Sequence, residues 1–293
     1  MMAAAPGERA PAGGAADRCP GPLLALTLVS LYALLVLAPL IPGVHPVIGS
    51  VLVTVLFTLG ALIAASLSAR LSLGPWVELI AFVLAGLNWF LYATIGMSGP
   101  LARFALRPAS DILLVFAMIM GGLLLSRIIR ERGVIIPVAI VLALADVFTV
   151  FFGPTGETLE KAPAIVEAVS VKLPAMGSAA GPAGIAGLTH IATLGPGDTF
   201  FAALFFAVIV RFGLSMRRTF AWLFGVTAVV LALVVALPSA PPIPVLPLMA
   251  GGFLVANWRE VRLTRREWCY VGIVIVFVIV LLAVLWRAVQ AAP

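Results

Sequence analysis

Long apolar stretches, unbroken by charge, constrain this chain more than any other feature. They recur near residues 23–42, 47–68, 75–97, 110–129, 133–153, 191–210, 219–237, 243–257 and 269–286. Most have the roughly 20 residues that a helix needs to cross about 30 Å of hydrocarbon. No water reaches backbone N–H and C=O groups there, so a spanning segment must be a helix or part of a closed barrel. Barrel strands alternate apolar and polar residues; these runs are continuous, which predicts helices. The chain has 293 residues, 63% hydrophobic and only 10% charged. A soluble domain carries about 25% charged residues, so a soluble enzyme, a disordered chain and a disulfide scaffold are all excluded.

The expected fold is all-α: a polytopic membrane helix bundle of about nine transmembrane helices. It forms one domain over 23–290, behind a disordered cytoplasmic tail at 1–22 rich in Ala, Gly and Pro. The first run is too long for a signal-peptide core and reads as a retained span. The eighth is short and interrupted by Pro and Gly, so it is the least regular helix expected.

Charge orients the bundle. Lys and Arg total 18 against 12 acids, a net charge of +6. Alternating the spans puts thirteen basic residues on one side, among them Arg70, Arg127, Arg130, Arg132, Arg211, Arg217 and Arg218, and five on the other. The positive-inside rule makes the first side and the N-terminus cytoplasmic, and the C-terminus exoplasmic. The basic balance follows from this rule, and no nucleic-acid partner is expected. The longest connection, about 154–190, is then exoplasmic, with a mildly amphipathic stretch suited to the membrane surface. Cys19, Cys269, His45 and His190 have no metal-ligand or disulfide spacing, so no metal and no cofactor is expected.

Most acids have inexpensive places in the tail, among the cytoplasmic arginines or in the outer loop. Glu78 and Asp111 fall near helix starts, where an anion is favoured and Ser110-Asp111 can cap. Asp146, in Val141-Leu-Ala-Leu-Ala-Asp-Val-Phe-Thr-Val150, and Asp198, in Leu194-Gly-Pro-Gly-Asp-Thr-Phe-Phe201, lie inside apolar runs. An ionisable group at that depth costs a few kcal/mol and marks a functional site. Asp146 follows Arg132 by fourteen residues and Asp198 precedes Arg211 by thirteen. At 1.5 Å per residue both acids sit roughly 20 Å from the basic belt. Consecutive antiparallel helices usually pack side by side, which predicts that the two carboxyls face each other. Such a pair holds one shared proton. The ionised partner can take a proton from water while the other donates to a carbonyl oxygen. A proton relay in a transporter would use the same groups.

Three segments resemble the presenilin and signal peptide peptidase family of GxGD intramembrane aspartyl proteases. Gly195-Pro-Gly-Asp198 matches the GxGD motif. Ala145-Asp-Val-Phe-Thr-Val-Phe-Phe152 is similar to the family's first catalytic helix. Pro244-Val-Leu-Pro247 resembles its Pro-Ala-Leu-Pro motif. The match covers about 133–257, the expected catalytic core; the first four spans resemble the family only in hydropathy. The resemblance implies an aspartic endopeptidase with Asp146 and Asp198 as its catalytic residues, and a substrate strand bordered by Gly195, Pro196, Gly197, Pro244, Val245, Leu246 and Pro247. Gly195 and Gly197 leave room for close backbone approach, and with Pro196 they loosen the helix beside Asp198. The prolines from Pro238 to Pro247 exclude a regular helix throughout.

The chain departs from the family in Ala145, where Tyr is frequent, and in Val245, where Ala is usual. By span count it also has one helix fewer before the first Asp and one more after the Pro motif. The exoplasmic loop between the catalytic helices is similar to signal peptide peptidase and opposite to presenilin. That implies N-in, C-out single-span proteins or signal-peptide remnants as partners, met in the lipid bilayer. Compact size and short loops point to a prokaryotic cytoplasmic membrane. A prepilin-type peptidase is disfavoured by Thr199-Phe200-Phe201, where that group usually carries a basic residue. The alternative class is a non-proteolytic membrane protein, either a proton-coupled transporter or an inactive substrate-holding homologue; no internal repeat of the kind transporters often carry is evident.

Overall fold

The computed structural model describes residues 20–41, 45–94, 99, 102–151, 171–177, 190–236 and 244–260, with 268, 269, 271–273, 275–281 and 284. In chain order these form α1 (Pro20–Leu37), α2 (Pro46–Ser68), α3 (Pro75–Thr94), α4 (Arg107–Ser126) and α5 (Ile135–Phe151). Then come β1 (Val171–Pro174), β2 (His190–Leu194), α6 (Pro196–Phe212), α7 (Met216–Ala236) and α8 (Leu246–Asn257). A short apolar helix follows over Val271–Leu281. Residues 1–19 of the expected tail lie outside the described residues, and Pro20-Gly21-Pro22 opens α1 rather than ending the tail. Proline also opens α2, α3 and α6, where its missing N–H would have no helical partner.

Among the described residues, five helices are long and apolar enough to cross a bilayer: Pro20–Leu40, Ile48–Ser68, Pro75–Tyr92, Phe104–Ser126 and Met216–Val234. The protein is a mostly helical integral membrane protein. Its outer surface is apolar, with Ile80, Val83, Leu84 and Leu87 of α3 each half exposed or more. Such side chains belong in lipid.

α4 lies at the centre, packed along α3 on one side and α6 on the other. The α4–α6 contact is close because Gly121 and Gly122 carry no side chain. A Cβ on Gly122 would meet the Phe200 carbonyl oxygen at 2.3 Å. α2 packs between α1 and α7, and α8 between α7 and α5. Phe57, Ile119, Phe206 and Phe253 fill the core, each with no exposed surface. Phe205 stacks on Phe253 with ring centroids 4.6 Å apart.

At one end of the bundle arginines satisfy orphan helix carbonyls. Arg211 donates to the carbonyls of Ser126 and Arg127 at the end of α4. Arg132 donates to Phe212 at the end of α6. Arg127 holds Glu78 of α3 through two hydrogen bonds of 2.7 and 2.8 Å. That bond to Glu78 pushes the Arg127 guanidinium further above its ordinary value.

Three expectations need correction. α4 begins before residue 110, with Pro108 in its first turn and Leu106 as an N-cap that makes no side-chain bond. Ser110 and Asp111 therefore sit inside the helix, each only 2% exposed, and do not cap it. Glu78, as expected, does lie in the first turn of its helix, α3, where it is also paired with Arg127. Residues 190–194, expected in the outer loop and the start of the sixth helix, form strand β2. β2 pairs antiparallel with β1, Lys172 opposite Thr193, with an irregularity at Leu173/Pro174. Gly195 and Pro196 explain the change, because they set where the helix begins. Finally, the eighth run is a regular helix over Leu246–Asn257, since Pro247 occupies its opening, where proline is tolerated. The amphipathic stretch of the loop lies mostly outside the described residues.

Candidate active site

Asp198 sits in the first turn of α6, with Gly195 as N-cap in an extended conformation and Pro196 beginning the helix. The Gly-Pro-Gly motif starts this helix; it does not loosen the middle of a longer one. The Asp198 N–H donates to the Gly195 carbonyl at 3.3 Å, and the carboxylate lies at a helix N-terminus that favours an anion. Neither glycine is pressed by the protein itself. A Cβ on Gly195 would find only Asp198 Oδ2, at 3.6 Å, and one on Gly197 only the Phe201 ring, at 4.0 Å. Both positions would accept a Cβ with ordinary contacts only.

Asp146 projects from the second half of α5. Its Oδ2 accepts a hydrogen bond of 3.2 Å from the backbone N–H of Leu246. Leu246 is the first residue of α8, and its N–H is one of the four that a helix start leaves without an internal partner. Asp146 thus satisfies α8 from another helix. Pro244 and Val245 precede that bond and Pro247 follows it, so the bond falls within the Pro-Val-Leu-Pro segment. Asp146 lies within electrostatic reach of Asp198.

The route to this meeting differs from the expected one. α5 rests chiefly on α8, and α6 on α4; α5 and α6 are not major packing partners. The long connection between them, from Phe151 to Pro196, leaves the two helices free to pack on different partners.

A small cavity borders Asp198, lined also by Thr58, Ala61 and Leu62 of α2, Thr199, Thr227 and Met249. Its volume of about 20 Å³ suits a single water molecule. Thr227 is 3% exposed, and its hydroxyl has no hydrogen-bond partner. The sequence reading missed Thr58, Thr227, Gly121 and Gly122. The Gly-Gly pair inside an apolar run was the available signal, since small residues mark close helix contacts in membranes. Nothing distinguished those two threonines from others in apolar runs. Among the described residues no group of three or more His, Cys, Asp or Glu stands together as a metal site.

No protein-family model, curated protein or solved structure matches the chain.

Proposed function

We propose that the protein is an intramembrane aspartyl protease of the GxGD type, similar to the presenilin and signal peptide peptidase family. The observation that carries this reading is the 3.2 Å bond from Leu246 to Asp146. It joins the Pro-Val-Leu-Pro segment to one acid while the other acid is within electrostatic reach. An ordinary interfacial turn has no reason to lie against a membrane-embedded carboxylate.

In the proposed reaction one carboxylate takes a proton from water, and the resulting hydroxide attacks the scissile carbonyl carbon. The other, protonated, carboxyl gives its proton to the carbonyl oxygen. The tetrahedral intermediate collapses as the C–N bond breaks and the leaving nitrogen takes up a proton. The two acids act as one titrating unit, so neither is assigned as the base. A helical peptide bond is shielded by its own hydrogen bonds, so the substrate unwinds first. The backbone at Gly195–Gly197 and the Pro244–Pro247 segment flank the unwound strand. β2 runs directly into that backbone, and a strand edge can pair with an extended peptide.

Nine spans, a cytoplasmic N-terminus and an exoplasmic hairpin complete the reading. They rest on the partition of Lys and Arg and on the arginines gathered at one bundle end. Substrates are then single-span segments or signal-peptide remnants in a prokaryotic cytoplasmic membrane.

The test uses purified protein in proteoliposomes with a labelled single-span substrate. The parent should yield two fragments, and Asp146→Ala and Asp198→Ala none. Fragments that persist in either variant refute the mechanism. pH-dependent uptake without fragments would favour a transporter.

A further inference from the structure

The mechanism leaves one buried acid unused. Asp111 lies in the second turn of α4, 2% exposed, at the end of the helix away from Arg127. Arg107 Nε approaches its Oδ1 at 3.4 Å. β1 packs against α4, and there the backbone N–H of Lys172 donates to the same carboxylate, with the Lys172 ammonium acting on it electrostatically. A carboxylate buried at this depth is costly unless paired and hydrogen-bonded, and here both conditions depend partly on β1. From this geometry we infer that Asp111 is a positioning residue for Asp198, docking on α4 the hairpin that leads into the second catalytic carboxylate.

The connection runs through named contacts. Lys172 pairs with Thr193 of β2, and Asp198 follows Thr193 by five residues. Beyond Asp198, α6 presses its Phe200 carbonyl and Ala203 against Gly122 of α4. α4 therefore grips the segment on both sides of Asp198, at Asp111 through the hairpin and at Gly122 directly. These grips are eleven residues apart on one rigid helix, about 16 Å. Opposite α4, Met176 fits over Gly49 of α2, and the Gly177 N–H donates to Ala38 at 3.2 Å. Those contacts seat the turn after β1, while Asp111 holds the strand itself.

The docking role stands on the contacts alone; the catalytic consequence rests on the protease reading. Both can be measured on the full-length chain in lipid nanodiscs. Hydrogen exchange over 171–177 and 190–194 is compared for the parent, Asp111→Ala, Asp111→Asn and Lys172→Ala. Asp111→Ala should speed exchange there about tenfold or more, with the interiors of α4 and α6 still protected. Asp111→Asn retains an acceptor for the Lys172 N–H and should fall between, which keeps the test open if the Ala variant fails to fold. Lys172→Ala retains the N–H and should stay close to the parent. With a single-span substrate, kcat of Asp111→Ala should fall about tenfold with KM little changed, as expected when a reacting group is misplaced.

A hairpin that stays as protected as the parent's in both Asp111 variants overturns the docking. A loosened hairpin with unchanged kcat overturns the positioning role. A loosened hairpin in a protein whose parent cleaves nothing supports the docking and removes the protease reading instead.

Discussion

Replacing Gly122 with alanine tests the α4–α6 contact most sharply. The new Cβ would lie 2.3 Å from the Phe200 carbonyl oxygen and 2.9 Å from the Leu204 nitrogen, both backbone atoms of α6. Ordinary contact begins near 3.4 Å, so the two helices must separate by about 1 Å. Backbone cannot rotate away as a side-chain tip can. Overpacking of this kind costs about 1–3 kcal/mol, and the rigid partner puts Gly122→Ala at the upper end. Phe200 is two residues from Asp198, so the separation also shifts the dyad. A 1 Å displacement can lower a rate by about a hundredfold. Gly225, inside α7, is the control: a Cβ there meets nothing within 4 Å. Gly225→Ala should be neutral or stabilising by about 0.5–1 kcal/mol, because alanine is the better helix former. Thermal unfolding in detergent and fragment yield in proteoliposomes measure both variants. A Gly122→Ala protein as stable and active as the Gly225→Ala protein would refute the close approach.

Three further outcomes are expected. Arg127→Ala leaves Glu78 buried without its partner; because the Arg127 side chain is 40% exposed, the loss should be about 2 kcal/mol and not the larger penalty of a fully buried pair. Arg127→Lys, which keeps charge but not the two-pronged geometry, should lose about half as much, read from unfolding midpoints. Thr227→Val removes a buried hydroxyl that has no protein partner, so stability should be unchanged or rise by up to about 1 kcal/mol; a clear loss would mean that the hydroxyl is satisfied in the membrane. Asp146→Asn keeps an oxygen for the Leu246 N–H and should unfold within about 0.5 kcal/mol of the parent while cleaving nothing, whereas Asp146→Leu should lose about 1–3 kcal/mol.

The apolar runs located the helices because hydropathy and span length are written locally. Asp146 and Asp198 stood out in the same local way, since an acid inside an apolar run has few cheap explanations. What escaped was what depends on partners distant in sequence. Asp111 looked like a cap because Ser110-Asp111 precedes a long apolar stretch, yet Pro108 and a π-helical turn over Ala102–Leu106 carry the helix start back. Strand β2 was hidden inside a run whose hydropathy suits a helix, and Gly195-Pro196 revealed the break only once paired with β1. The helices of the two acids were expected to be adjacent; α5 rests instead on α8, and α6 on α4. Neither Leu246 nor Gly122 carries a side-chain chemistry that announces its role, because one acts through its N–H and the other through what it lacks.

The bond between Asp146 and Leu246 also fixes an order in time. Its partners are 100 residues apart in the chain. At about 5–20 residues per second of synthesis, the ribosome needs roughly 5–20 s to supply the second after the first. During that interval α5 is made while the helix it rests on does not yet exist. On the proposed protease reading, the nascent chain would therefore stay silent until α8 emerges. A chain stopped after Ala236 should enter the membrane with both acids present and cut nothing.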